Sequence, residues 1–255
     1  MLWKFLFYCV IIVEKKSFSG ENQFSKDRTM QKTAIIVAME KELVSALSGF
    51  GEAEIVSEFV GKPVYRIKKQ SGEVYILNSG VGEIAAAAAT QHAIDVYGAE
   101  LIVNFGFVGS LKPEFKQGDL VVAKEIIHYE FDTSALDGFE TGRYEEFPFR
   151  NLPTDGELTS EAARLFGLKK VIVASGNKFI CDQKTKSLLV SSFGADICEM
   201  ESAGIVLTAL RNGKKTLILK LVSDNADEDS HVDFFESVKK GTAECAKIIT
   251  KILGD

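Results

Sequence analysis

The chain has 255 residues, 46% of them hydrophobic and 26% charged, with a formal net charge of -6. That length supports one large domain with a substantial core, and the composition excludes a disordered or membrane-embedded chain. The acidic balance disfavours nucleic acid, which binds basic surfaces, and favours a small neutral or weakly cationic ligand.

Residues 1–29 read as an N-terminal extension and 30–255 as the domain. Met1 to Val13 is apolar but shorter than the roughly 20 residues of a membrane span, and the segment after it offers no small-x-small cleavage site. Met30 stands just before the first strand-like run. An upstream start codon, an anchor and a disordered tail are all compatible with this pattern.

TAIIVA, Thr33 to Ala38, is apolar throughout, as in a strand buried on both faces, and a helix follows from Glu40 to Leu47. Glu54 to Phe59, Pro63 to Lys68 and Glu73 to Leu77 alternate between turn residues, as in an antiparallel meander. The alanine-rich stretch Glu83 to Tyr97, bracketed by Gly82 and Gly98, predicts a helix. Buried strands are expected at Leu101 to Phe105, Leu120 to Val122, Val171 to Ala174 and Thr216 to Val222. Helices are expected at Ser160 to Phe166, Thr185 to Ser192, Glu201 to Arg211 and Phe234 to Leu253. The alternation implies a three-layer α/β/α fold with a central mixed sheet.

In such folds ligands lie at the carboxyl ends of the strands, where four segments carry polar chemistry: Met39 to Glu42, Ser79 to Gly82, Gly106 to Gly109 and Ser223 to Asp227. Each has a structural reading beside the functional one. Ser223 or Asp224 would serve as a helix cap, and Glu42, Glu199 and Glu201 as first-turn acids favoured by the helix dipole. Glu199 and Glu201 flanking Met200 also suit a ribose, the carboxylates accepting from its hydroxyls and the thioether packing on its face. GVGEIA, Gly80 to Ala85, has the glycine spacing of a dinucleotide loop, but the next strand ends on Asn104 and offers no acid for a ribose. The four cysteines, Cys9, Cys181, Cys198 and Cys245, form no CxxC pair, and the three histidines, His92, His128 and His231, form no zinc pattern. Chemistry without a metal or cofactor is therefore expected.

AMEKEL (38–43), SGVGEIAAA (79–87), NFGFVGSL (104–111), QGDLVVA (117–123), SGNKFI (175–180), CEMESAG (198–204) and VSDNAD (222–227) follow one another in the order seen in a known family. Together they resemble the 5′-methylthioadenosine/S-adenosylhomocysteine nucleosidases of the purine nucleoside phosphorylase superfamily, from about Thr33 to Leu253. The resemblance implies a phosphorylase/hydrolase-like fold and hydrolysis of the N-ribosidic bond of an adenosine-type nucleoside. It also implies a cytoplasmic homodimer whose partners are a small nucleoside and water, with neither nucleic acid nor membrane engaged by the domain.

Carried over residue by residue, Asp224 is the general acid that protonates the leaving purine, oriented by Ser223, and Glu42 activates the water, with Met39 lining the site. Met200 and Glu201 hold the ribose, Phe179 and Ile180 the purine, and Phe234 lies near the 5′ substituent. Acids in Met39 to Glu42 would repel phosphate, which favours water as nucleophile over a phosphorylase reaction. Three positions depart from the family: Phe107 replaces a small residue and reshapes the pocket around the water, Lys220 replaces an arginine near the ribose or water, and Asn177 replaces an acid in the purine loop. Phe107 and Lys220 leave open a nucleoside-binding protein without turnover, and the glycine loop a nicotinamide-dependent oxidoreductase.

Overall fold

The computed structural model describes residues 31–227 together with 248, 249, 251 and 252. The expected extension, most of the expected helix over 234–253, Phe234 and His231 lie outside the described residues.

The chain opens with β1 (Gln31–Val37), α1 (Glu40–Phe50) and a meander of β2 (Glu54–Phe59), β3 (Lys62–Lys69) and β4 (Gly72–Asn78). Helix α2 (Glu83–Tyr97) leads to β5 (Leu101–Ser110), β6 (Leu120–His128), the single turn α3 (Ser134–Asp137) and the two-residue β7 (Leu152–Pro153). Then follow α4 (Gly156–Phe166), β8 (Lys169–Ser175), α5 (Gln183–Phe193), β9 (Ile197–Glu199), α6 (Ser202–Arg211) and β10 (Lys215–Asp224). Among the described residues no helix is long and apolar enough to cross a membrane.

The strands form one mixed sheet. β1 runs parallel to both β4 and β5, and β5 runs parallel to β10. β10 pairs antiparallel with β6, β6 parallel with β8, β8 parallel with β9, and β9 returns antiparallel to β5. Those five strands therefore close a circuit, from which β1, β4, β3 and β2 extend as an open wing.

The apolar run of β1 is explained by burial on two sides. Ala34 and Ile36 join the cluster with α2 and α6, while Ile35 and Val37 join the opposite cluster with Leu43, Phe50 and the C-terminal Ile248, Ile249 and Ile252. This alternation is the two-residue period of a strand. Burying Ile35 and Ile36 contributes about 3–6 kcal/mol, against a span of about 1 kcal/mol for strand propensity, so packing fixes the element.

Helix α2 owes its alanines to packing as well as propensity. Ala86, Ala89 and Ala93 are fully buried, and α6 approaches the first turn so closely that a Cβ on Gly204 would stand 2.3 Å from the Glu83 carbonyl oxygen. Only glycine fits there. The start of α2 is capped from a distant segment: Asn177 Oδ1 accepts from the Glu83 N–H at 3.0 Å, supplying the cap that Gly82 lacks.

Candidate active site

The strand ends deliver their side chains to one cavity of about 490 Å³. The turn after β1 brings Met39 and α1 brings Glu42, while β5 brings Phe107. The junction of β9 and α6 brings Met200 and Glu201, and β10 ends in Ser223 and Asp224. Phe179 and Ile180 close the cavity from the loop after β8. Nine of the residues expected at the site thus line a single space, although they are spread over 186 positions from Met39 to Asp224.

Glu42 is a first-turn acid of α1, yet it is only 3% exposed. Its Oε2 accepts from the N–H groups of Ala38 and Met39, both at 2.9 Å, and its Oε1 accepts from the Phe107 N–H at 3.3 Å. Burial raises its pKa above the ordinary glutamate value; the charge of Lys220 and the three N–H donors pull the other way. The ring of Phe107 packs with Leu221 and Leu120, giving the cavity an apolar wall on this side.

Glu199 and Glu201 have separate duties. Glu199 accepts from Lys220 Nζ at 2.7 Å, from Ser202 Oγ at 2.9 Å and from the N–H groups of Glu201 and Ser202. Burial works to raise its pKa, but Lys220 and these donors outweigh it and hold the carboxyl below its usual range. Both acids line the cavity, but the oxygens of Glu199 are already engaged by these protein donors, unlike Oε2 of Glu201 among the described residues. The expectation for Lys220 is corrected. Expected at the ribose or water, it is 1% exposed on β10 and paired with Glu199, and it is Glu199 rather than Lys220 that lines the cavity.

Glu201 accepts from the Gly82 N–H at 3.0 Å through Oε1, and among the described residues its Oε2 accepts no hydrogen bond. The glycine loop thus turns an N–H toward a carboxylate of the protein, where a dinucleotide loop would turn it toward pyrophosphate. Burial and the neighbouring charge of Glu199 push the Glu201 pKa up to about 7. The folded protein therefore holds this proton more tightly than the unfolded chain, a contribution fully present below about pH 4.5 and lost as pH rises through about 7. In Glu201→Gln that loss is absent, so Tm of the variant relative to wild type should rise by a few degrees between about pH 5 and pH 8. Thermal unfolding at both pH values checks this; a constant difference would mean that burial places no such load on Glu201.

Asp224 is 2% exposed. Its Oδ2 accepts from Ser223 Oγ at 2.7 Å and its Oδ1 from the Ala226 N–H at 2.9 Å. The turn is tight: Ala226 has φ of 52°, at a cost of about 1–2 kcal/mol for a residue with a Cβ. A Cβ on Gly109 would lie 2.9 Å from that of Ala226 and 3.0 Å from Asp224 Oδ1, so glycine is required opposite the acid.

Sequence reasoning missed a second polar layer beneath the loop after β8. Glu83 bonds His128 Nε2 at 2.7 Å, Ser175 Oγ at 3.1 Å and Asn177 Nδ2 at 3.2 Å, and His128 Nδ1 meets the Tyr144 hydroxyl at 2.7 Å. Asn177 thereby ties the loop of Phe179 and Ile180 to α2. The available signal was the odd pairing of an acid with GVG at a helix start, which names no partner 94 residues away. Among the described residues no cluster of three or more His, Cys, Asp or Glu side chains is arranged to hold a metal ion.

Residues 32–254 match the model of the phosphorylase superfamily. The chain is 31% identical over 233 residues to a 5′-methylthioadenosine/S-adenosylhomocysteine nucleosidase of Shewanella halifaxensis, covering 87% of this chain and 98% of the relative. It is 30% identical to an aminodeoxyfutalosine nucleosidase of Helicobacter pylori, covering 89% and 100%. Among solved structures, a Helicobacter pylori 5′-methylthioadenosine/S-adenosylhomocysteine nucleosidase mutant with 5′-methylthioadenosine in its active site superposes with a TM-score of 0.82 at 28% identity, over 88% of this chain and 99% of that one. The futalosine hydrolase of Helicobacter pylori superposes at 0.81 and 28%, over 88% and 97%.

Proposed function

This chain belongs to the phosphorylase superfamily, and within it to the 5′-methylthioadenosine/S-adenosylhomocysteine nucleosidases; from that footing we propose that it hydrolyses the N-ribosidic bond of adenosine-type thioethers, with water as nucleophile. The observation that carries the reading is the position of Glu42. A phosphorylase must cradle a phosphate beside the anomeric carbon, and backbone N–H groups at strand ends are natural donors for it. Here the N–H groups of Ala38, Met39 and Phe107 all point at the carboxylate of Glu42. The anion in that place is the protein's own.

In the proposed reaction the ribose rests against Met200 and accepts its fix from Glu201, while the purine lies between Phe179 and Ile180. Asp224 donates a proton to the purine, so that the base leaves neutral, and Ser223 steadies the carboxyl. Positive charge growing on the sugar is met by the carboxylates of Glu201 and Glu42. Glu42 then removes a proton from the attacking water, whose oxygen bonds to the anomeric carbon. Phe107 limits the water beside Glu42, and Phe234 is assigned to the 5′ substituent by resemblance. Lys220 acts from behind through Glu199. A cytoplasmic homodimer acting without a cofactor completes the proposal.

Incubation with 5′-methylthioadenosine in phosphate-free buffer should release adenine and the free thiosugar, at a rate that added phosphate leaves alone. Formation of a sugar phosphate that depends on added phosphate would transfer the chain to the phosphorylases.

A further inference from the structure

Residues 82 and 83, at the start of α2, serve two sides of the cavity in succession. The Gly82 N–H donates to the Glu201 carboxylate, and the Glu83 N–H donates to Asn177 Oδ1 in the loop that carries Phe179 and Ile180. Gly82 has φ of 100°, and a Cβ there would stand 3.1 Å from Asn177 Oδ1. Glycine is what lets the loop close so near.

That loop is held at its two ends. Gly176 lies against Tyr129, where a Cβ would come within 2.6 Å of the ring, and the Asn177 N–H donates to Glu130 Oε2 at 2.6 Å. At the other end Ile180 is buried with Leu189 and Cys198. Phe179, between them, is 48% exposed, so packing does little to place its ring and the backbone from Asn177 to Ile180 has to.

Glu83 grips Asn177 on both sides of the amide. While Oδ1 takes the Glu83 N–H, Nδ2 donates to Glu83 Oε2 at 3.2 Å. The same carboxylate accepts from Ser175 Oγ at 3.1 Å, and Ser175 Oγ accepts from the Ala203 N–H at 2.9 Å, in the first turn of α6 beside Glu201. His128 Nε2 meets Oε2 at 2.7 Å. A carboxylate only 5% exposed is a liability unless it is bonded, and here its bonds run to the segments that present Phe179 and Glu201. His128 can brace it with either polarity. Burial pushes the Tyr144 pKa up to about 12, so the hydroxyl 2.7 Å from His128 Nδ1 stays protonated and can donate to the ring or accept from it.

We propose that Glu83 is a positioning residue for base recognition: its carboxylate, braced by His128, sets Asn177, and through Asn177 the backbone of Phe179 and Ile180 that receives the purine. This rests on the nucleosidase reading of the cavity and adds to it a residue that does not itself line the cavity.

The test reverses the polarity of the contact between Glu83 and Asn177. Asn177→Asp sets two carboxylates against each other at the 3.2 Å contact. Adding Glu83→Gln turns a donor to the new acid, and the imidazole changes tautomer to receive the second hydrogen of the amide. The Kd of adenine, by calorimetry, and kcat and KM on 5′-methylthioadenosine are measured for wild type, both single variants and the double variant, with Tm of each. Asn177→Asp should raise Kd and KM together by about tenfold, the loss of one charge-assisted hydrogen bond, and leave kcat nearly unchanged. The double variant should return both to within about threefold of wild type, a recovery that two independent defects would not show. Glu83→Gln alone keeps one acceptor for Asn177 and His128 and should raise Kd about two- to threefold; it carries the test if Asn177→Asp does not fold, an unchanged Kd then counting against the proposal. Wild-type Kd and KM in Asn177→Asp overturn the proposal. A loss that the second substitution does not recover, or that falls on kcat and Tm in place of KM, overturns it too and leaves Glu83 a residue of the fold alone. Wild type that binds adenine but releases none from 5′-methylthioadenosine removes the nucleosidase reading, while the Kd series still decides the role of Glu83. Wild type that binds no adenine overturns both.

Discussion

Asp224→Asn should lower kcat on 5′-methylthioadenosine by about 10³-fold, within the 10²–10⁴-fold that a general acid contributes. The substitution changes little else. An amide fills the volume of the carboxyl, its oxygen can still accept from the Ala226 N–H at 2.9 Å, and its NH₂ can donate to Ser223 Oγ. The Ser223 hydroxyl then turns to the Val108 carbonyl oxygen, already 3.2 Å away. What disappears is the transferable proton, and the purine must leave as an anion. The loss should fall on kcat with Tm nearly unchanged, measured by adenine release alongside thermal unfolding. A wild-type rate would remove Asp224 from the acid role.

The second large effect concerns stability. Lys220 and Glu199 form an ion pair whose side chains are 1% and 2% exposed, and the carboxylates of Glu42 and Glu201 both feel the charge of Lys220. Lys220→Met keeps most of the side-chain volume and leaves Glu199 buried without its counterion. Breaking such a pair on one side costs about 3–5 kcal/mol, to be read from urea unfolding near neutral pH. The pH dependence follows from the sign of the shift. In wild type the Glu199 pKa is depressed, so its contribution is present above the unfolded value near 4.5 and is lost only as pH falls through the lower folded value. Without Lys220 only the Ser202 hydroxyl and the N–H groups of Glu201 and Ser202 oppose burial, and the carboxyl takes up a proton at higher pH. The penalty should therefore be largest at about pH 8 and smaller at about pH 5. A uniform penalty of under 1 kcal/mol would show that the pair bears little on the stability of the fold.

Much of this was legible in the sequence. TAIIVA announced a strand buried on both faces, and the polar groups after the apolar runs pointed to Glu42, Glu201 and Asp224, which line one cavity. Periodicity also marked the helices, though α4 begins at Gly156, four residues before the expected Ser160, because Asp155 caps it through the Leu158 N–H. Other features depend on pairing that a linear pattern cannot express. β5 was expected to stop at Phe105, yet it continues through GFVGS to Ser110, since its second half pairs with β10 and β9. The three residues of β9 carry too little pattern to be found alone. Lys220 within LILKLV did signal a buried charge, but the side chain could have turned toward the ligand or toward a carboxylate, and only the fold selects Glu199. Asn177 likewise reads as a lost acid in a line of sequence, and in space as the cap of α2.

The closed circuit of β5, β10, β6, β8 and β9 constrains how this protein can diverge. A one-residue insertion in any of these strands would turn every following side chain to the opposite face, and because the circuit has no free edge, each neighbouring strand would have to absorb the slip. Phe107, Glu199 and Asp224 all belong to it. The strands that line the cavity are thus free to vary in residue type but not in length. The open wing of β2 and β3 carries no such restriction, and its turn at Val60 and Gly61 can lengthen or shorten without disturbing a strand of the circuit. Lys62 stands beside that turn and lines the cavity next to Val81, so the rim there can change while the closed circuit keeps its register.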